Sequence, residues 1–178
     1  MGFLFESERL KFRETTPDDA EVMYALNSDP EVMRYTGDIY WESVGQAREF
    51  LERYPDYRKN NMGRWAAIRK ADGAMIGWCG LKLHPDKQVD LGYRLFKKYW
   101  NLGYATEASI ASLKYGFETL GLTNIIARSM PENNASIRVM EKCGMQFSHR
   151  EMDELHGEEI VVYNITHEDL RRHQSLSA

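Results

Sequence analysis

Leu10 and Phe12 alternate with charged neighbours between residues 9 and 14, the period-two pattern of a half-buried strand. The period then changes. Thr16-Pro17-Asp18-Asp19 supplies a capping hydroxyl, a proline for the first helical position and a carboxylate near the helix start, and Val22, Met23 and Leu26 follow at helical spacing. A helix is predicted to about Asn27, ended by Asp29-Pro30, because the residue before a proline is pushed out of the helical region. Ser43 opens a second helical pattern on Val44, Ala47, Phe50, Leu51 and Tyr54, which Pro55 stops or kinks. Residues 34–41 between them carry no clear period and read as a loop rich in aromatic and polar groups. Strand-like runs follow at residues 65–69, 75–83 and 88–96, and their short turns imply an antiparallel meander. Residues 103–120 form the longest helical stretch, with Ala105, Ala108, Ile110, Leu113 and Phe117 on its apolar faces and Gly121 closing it. A strand at 124–130, a helix opened by Asn133 and closed by Gly144, and a hairpin of residues 145–152 and 159–165 across a turn at His156-Gly157 complete the pattern.

This order predicts a mixed α/β (α+β) domain, a mostly antiparallel sheet of six to seven strands flanked by about four helices. The strand-helix-strand step from residue 88 to residue 130 is a crossover and should make the sheet's one splayed parallel pair. Ligands favour the C-terminal ends of such strands. With 178 residues, no linker-like shift in composition and no internal repeat, residues 1–178 read as a single domain.

Composition removes several functions. A net charge of -4 offers no general attraction to phosphate backbones, so nucleic acid is not expected as a partner. No apolar run approaches the ~18 residues of a membrane span, and charge at Glu6 and Glu8 comes too early for a signal peptide. Cys79 and Cys143 are too few for a disulfide framework and lack zinc-site spacing, which suits a reduced, cytoplasmic protein. His84, His149, His156, His167 and His173 include no pair with metal-site spacing and a third ligand, so no metal is expected. Neither a Gly-x-Ser-x-Gly elbow nor a Gly-Lys-Ser/Thr phosphate loop is present.

Candidate chemistry gathers where the strand ending near Phe96 meets the long helix, at Tyr99-Trp100-Asn101-Leu102-Gly103-Tyr104-Ala105-Thr106-Glu107-Ala108. Backbone amides in such a turn, with the positive end of a helix dipole behind them, form a site for a pyrophosphate, and small residues at Gly103 and Ala105 allow close approach. By itself, a glycine at a strand-to-helix joint is also what an ordinary packed turn looks like.

The segment resembles the pyrophosphate turn of the GNAT superfamily of N-acetyltransferases, which reads Gln or Arg, two residues, Gly, one residue, then Gly or Ala. Gly103 and Ala105 match, and Trp100 stands where Gln or Arg is usual, as an aromatic residue often does in the subgroup that includes ribosomal-protein N-terminal acetyltransferases. A second stretch, Asn133-Asn134-Ala135-Ser136 with Glu141-Lys142-Cys143-Gly144-Met145 after it, resembles the same subgroup's Asn-x-x-Ser helix and its Glu-Lys-x-Gly-Phe end. Two signatures in the right order are far more specific than either alone. The resemblance implies acetyl-coenzyme A (acetyl-CoA) as donor, lying where the strand ending at Phe96 splays from the strand ending at Met130. It further implies that Leu95, Phe96 and Lys97 meet the pantetheine arm through main-chain groups. Trp100, Asn101, Leu102, Gly103, Tyr104, Ala105 and Thr106 would hold the pyrophosphate, with Asn133 and Ser136 on the arm's other side. Lys97, Lys98 and Lys142 either add phosphate attraction or are solvated surface lysines.

Acetyl transfer to an amine needs a neutral amine, a stabilised oxyanion and a donor for the departing thiolate. Under the resemblance, Asp90 occupies an acidic strand position and is expected to deprotonate the amine directly or through water. Its alternation with Val89 and Leu91 leaves cleft and solvent both open. Many members place a tyrosine for the thiolate one residue before the Glu-Lys pair. That residue is Met140 here, so Ser136, one turn earlier, is either the thiolate's donor or a helix cap. Glu107 reads as a first-turn carboxylate favoured by the dipole, and a backbone amide near Leu95 is expected to meet the oxyanion.

The acceptor amine is expected between residues 34–41 and the C-terminal hairpin. There Glu151, Asp153, Glu154, Glu158 and Glu159 either attract a cation or keep the tip soluble, and Tyr35, Tyr40, Trp41 and Trp65 line a wall or pack. A protein N-terminal α-amine is the first acceptor expected and a small-molecule amine the second. The competing class, suggested by Met140, is a module that holds coenzyme A without turnover. Monomer and homodimer are both open.

Overall fold

The computed structural model describes residues 2–153 and 157–177. His156 of the expected turn and Glu154 of the acidic set lie outside these residues. The strands are β1 (Phe5–Glu6), β2 (Leu10–Arg13), β3 (Arg64–Arg69), β4 (Met75–Leu83), β5 (Val89–Leu95), β6 (Asn124–Ser129), β7 (Gln146–Asp153) and β8 (Glu158–Thr166). They form one sheet in the order β1-β2-β3-β4-β5-β6-β8-β7. Every neighbouring pair is antiparallel except β5 and β6. The mixed architecture and its single parallel pair are as expected, with eight strands instead of six to seven. The additional strand is β1, whose two residues pair with Phe12 and Lys11 and are too few to show an alternation.

The helices are α1 (Ala20–Asn27), α2 (Pro30–Met33), α3 (Val44–Arg53), α4 (Asp56–Asn60), α5 (Tyr104–Lys114), α6 (Asn134–Lys142) and α7 (His167–Ser177), so the described residues hold seven where about four were expected. Asp29-Pro30 does not merely end α1. The Asp29 carboxylate accepts from the Glu31 N–H at 2.9 Å and Pro30 fills the first helical position, as Pro17 does after Thr16, so the pair starts α2. Similarly, α7 begins directly after β8 because Thr166 and Asp169 cap each other: the Asp169 carboxylate accepts from the Thr166 N–H at 3.0 Å and the Thr166 hydroxyl accepts from the Asp169 N–H at 3.2 Å. α5 runs on into one π turn (Tyr115–Thr119).

Strand alternation gives the sheet two differently covered faces. Cys79 and Leu81 of β4 and Leu91 of β5 belong to the main core, which α5 and α6 close with Leu113 and Met140. Trp78 points the other way and packs with Ala20, Met23, Ala47 and Leu51 of α1 and α3. Between the two layers, β5 and β6 are in register only where Asp90 faces Ile126. Beyond that pair the edges of the strands are released from one another, and this opening positions everything below.

Candidate active site

After β5 the chain makes a 3-10 turn at Lys97–Tyr99, and then both Asn101 (φ 59°) and Gly103 (φ 81°) adopt the left-handed conformation. Asn and Gly are the residues that reach it most cheaply. Gly103 is the N-cap of α5, and its carbonyl accepts the first helical bond from the Glu107 N–H at 3.0 Å. The amides at the start of a helix have no intrahelical partner, so residues 103–106 present a row of donors backed by the helix dipole. Such a row has the form of an anion cradle, and the absence of a side chain at Gly103 keeps it open.

Glu107 holds the cradle in place rather than serving it. Its carboxylate accepts from the Ser7 hydroxyl and the Arg9 N–H, each at 2.7 Å, and from Arg9 Nε at 2.6 Å. Arg9 in turn donates to the Leu102 carbonyl at 3.0 Å and lies 4.2 Å over the Tyr104 ring. Burial raises the proton affinity of Glu107, but these hydrogen bonds outweigh it and hold the carboxyl below its ordinary range. Glu107→Ala is expected to lower stability by about 1–3 kcal/mol through unsatisfied donors, with kcat at saturating donor changed less than about twofold, as melts and steady-state rates would show.

The main-chain groups expected to receive pantetheine are only partly available. Trp100, in the place of Gln or Arg, donates its indole N–H to the Leu95 carbonyl at 2.8 Å. The Phe96 N–H donates to the Ile76 carbonyl at 3.0 Å and the Phe96 carbonyl accepts from the Tyr99 N–H at 2.9 Å. With Phe96 turned towards β4, alternation turns the Leu91 carbonyl, the main-chain groups of Tyr93 and the Leu95 N–H into the opening, the Leu91 N–H being used in the bridge to Ile126. The usable edge therefore lies earlier along β5 than the expected Leu95, Phe96 and Lys97. The Lys97 side chain pairs with Glu31 of α2, and Lys98 lies 5.1 Å over the Tyr99 ring, so neither is aimed at the cradle.

Across the opening stands the start of α6. The Asn133 carbonyl oxygen accepts from the Ser136 N–H at 3.1 Å and caps the helix. The Ser136 hydroxyl accepts from the Tyr93 hydroxyl at 3.0 Å, so a side chain of β5 reaches the opposite wall. Met140 is 1% exposed and packed in the core. Tyr93 carried no role in the sequence; its only signal was the alternation that sets it on the face opposite Asp90.

On the other face, Asp90 is 7% exposed. Arg64 Nη2 donates to its Oδ1 at 2.6 Å and His84 Nε2 lies 3.0 Å from the same oxygen. Gly92 makes room for this contact, since a Cβ there would stand 2.6 Å from Arg64 Nη1. Burial raises the proton affinity of Asp90, but the Arg64 charge and the His84 hydrogen bond prevail and bring its pKa down from 3.8 to about 2. A carboxylate so held is a poor proton acceptor. The expectation that Asp90 itself deprotonates the amine therefore gives way to a pair in which Asp90 fixes His84.

Further along β5, Arg94 binds Asn27 of α1 and Asp38, which ties residues 34–41 to the sheet. Arg64 and Arg94 each lie 5.3 Å over the Trp78 ring. Trp65, offered as a possible wall, is 1% exposed and meets Phe5 and Tyr115 edge-on in the core. Trp41 packs against Phe50 at 5.3 Å. At the hairpin, Arg150 pairs with Glu159, and Arg128 of β6 with Glu151 and Asp86. A groove of about 450 Å³ lies there, lined by Met130, Pro131, Glu132, Arg150, Glu158 and Glu159. Among the described residues no cluster of His, Cys, Asp and Glu has metal-site form, and no helix is long and apolar enough to cross a membrane.

The model of the acetyltransferase (GNAT) domain matches residues 9–146. The chain belongs to the GNAT acetyltransferase family. Among its GNAT relatives, the N-acetyltransferase YoaA of Bacillus subtilis is 33% identical over 146 residues, 80% of this chain and 82% of the relative. The N-acetyltransferase p20 of Bacillus licheniformis is 32% identical over 162 residues, 88% and 91% of the two chains. A solved GNAT acetyltransferase from Bacillus anthracis superposes with a TM-score of 0.79 at 30% identity, over 92% of this chain and 98% of its own. The GNAT assignment makes the chain an N-acetyltransferase, and the donor of the family is acetyl-CoA.

Proposed function

We propose that the chain acetylates a primary amine that arrives as a cation, with a protein N-terminal α-amine as the leading acceptor. The observation that carries this reading is the opening beyond Asp90 and Ile126, which has the anion cradle and Ser136 on one side of the sheet and His84, Asp90 and Arg64 on the other. Residues 100–106 hold the pyrophosphate, the edge from Leu91 to Leu95 together with Asn133 holds the pantetheine arm, and the bound donor supplies an activated acyl group. An α-amine has a pKa near ~8 and must shed its proton before it attacks. Imidazole is the side chain that exchanges protons near neutrality. His84 takes that proton, with Nε2 oriented by Asp90, whose own charge Arg64 maintains.

Glu132, Glu158 and Glu159 outnumber Arg150 around the groove at the hairpin, and that sign of charge concentrates cationic acceptors. The same groove favours a second reading, a small free amine, because its volume of about 450 Å³ falls within the ~300–1,000 Å³ of small-ligand sites. Thiol release with acetyl-CoA and a panel of peptides, polyamines and amino acids separates the two. Peptide turnover supports the α-amine, turnover of free amines alone supports the second reading, and tight coenzyme A binding with no acceptor at all returns the chain to a binding module. His84→Gln is expected to lower kcat/KM by ~10²–10⁴, with the deficit shrinking as pH rises and the amine deprotonates unaided. A deficit that stays flat with pH would leave His84 as no more than a partner of Asp90.

A further inference from the structure

We infer that Tyr93 is a positioning residue that aims the Ser136 hydroxyl at the departing thiolate, a tyrosine on β5 and a serine on α6 together replacing the donor that Met140 cannot be. This rests on the acetyl-transfer reading above. A serine hydroxyl has one hydrogen and two lone pairs. The Tyr93 hydroxyl donates to Ser136 Oγ at 3.0 Å and also reaches the Ser136 carbonyl at 3.4 Å, while the Ser136 N–H is occupied by Asn133. With one lone pair of Oγ filled by Tyr93, the serine's own hydrogen is turned away from β5's tyrosine and left for a second acceptor.

The surroundings define that acceptor as an anion. Ser136 is the third residue of the nine-residue α6, where the helix dipole favours negative charge. Tyr93 itself is not the proton source: burial raises its pKa well above the ordinary tyrosine range, so it stays a donor throughout. The first proton of the ammonium leaves through His84 to solvent before attack; then, as the nitrogen bonds the acetyl carbon, His84 takes the second amine proton and the carbon–sulfur bond breaks with its electron pair left on sulfur. Ser136 donates a hydrogen bond to that sulfur, and water later supplies the thiol proton.

The decisive measurement needs no acceptor. The thiol of coenzyme A bound to the intact protein is titrated by the ultraviolet absorbance of its thiolate. Bound thiol is expected about one pKa unit more acidic than free thiol, and Tyr93→Phe and Ser136→Ala are each expected to remove that shift, with the double variant removing no more. With an acceptor that the panel above shows to be turned over, kcat should fall about tenfold in each variant at unchanged amine KM. A thiol as acidic in Tyr93→Phe as in the wild type, or losses that add in the double variant, would overturn the inference. Should Tyr93→Phe not fold, 3-fluorotyrosine at position 93 keeps the shape and strengthens donation; the bound thiol must then become more acidic, and no change overturns the inference. Failure of the wild type to bind coenzyme A would instead sink the donor site itself.

Discussion

Gly103→Asp is expected to weaken coenzyme A binding at least about a hundredfold in calorimetry, a loss of about 2.7 kcal/mol or more. Three effects act together. A side chain in the left-handed conformation at φ 81° costs roughly 1–2 kcal/mol. Its Cβ would stand 3.3 Å from Arg9 Nη2, within the group of contacts that joins Glu107 to the turn. Most important, an aspartate at a helix N-cap satisfies the very amides that the pyrophosphate needs, so it competes for the cradle while helping the helix. The fold is therefore expected to survive where binding does not. Gly103→Asn separates charge from shape, because asparagine tolerates the left-handed region and carries no charge; about a tenfold loss is expected there. Unchanged affinity in the aspartate variant would reduce the turn to ordinary packing.

The turn that opens α5 was legible in the sequence because its causes are local. A left-handed Asn101 and Gly103, small residues and a helix start lie within a few positions of one another, and each leaves a mark on residue choice. The same holds for α3 and α6, whose caps Ser43 and Asn133 announce them, and for α1, which continues from the 3-10 turn that Thr16-Pro17 opens. Legibility failed in two ways. Asp29-Pro30 is ambiguous by nature, since the signal that ends one helix also starts the next, and Thr166 with Asp169 was a capping pair hidden behind a strand. The second failure is one of distance. Arg64 lies 26 positions before Asp90, Tyr93 lies 43 before Ser136 and Arg9 lies 98 before Glu107. Nothing in the local pattern of either partner names the other, yet these three pairs decide what Asp90, Ser136 and Glu107 can do. Sequence offered the carboxylate and the hydroxyl as candidates; only the pairing of β3 with β4 and of β4 with β5 brought up the cation that strips Asp90 of its basicity.

Arg64→Met is expected to cost about 3–5 kcal/mol at pH 7, since it removes the permanent cation and leaves the buried Asp90 carboxylate with only the His84 ring beside it. The pH dependence carries the sign. The pKa of Asp90 is lowered by folding from 3.8 to about 2, so its pair with Arg64 stabilises fully above the unfolded value and is lost as pH falls through the folded one. The shift corresponds to about 2 kcal/mol. Without Arg64, burial is no longer opposed by the guanidinium and the Asp90 carboxyl should titrate at higher pH, so the deficit of the variant should narrow between about pH 5 and pH 2. Urea unfolding at pH 7, 5 and 3 measures it, and an equal deficit at all three would show that Arg64 contributes packing and no charge. Removing both partners, in Arg64→Met with Asp90→Asn, should restore part of the stability lost in the single variant, because no unpaired charge remains in the sheet. It should not restore turnover. His84 then faces an amide in place of the carboxylate that orients its ring, and a fold regained without acetyl transfer would separate what the Arg64–Asp90 pair does for the sheet from what it does for the histidine.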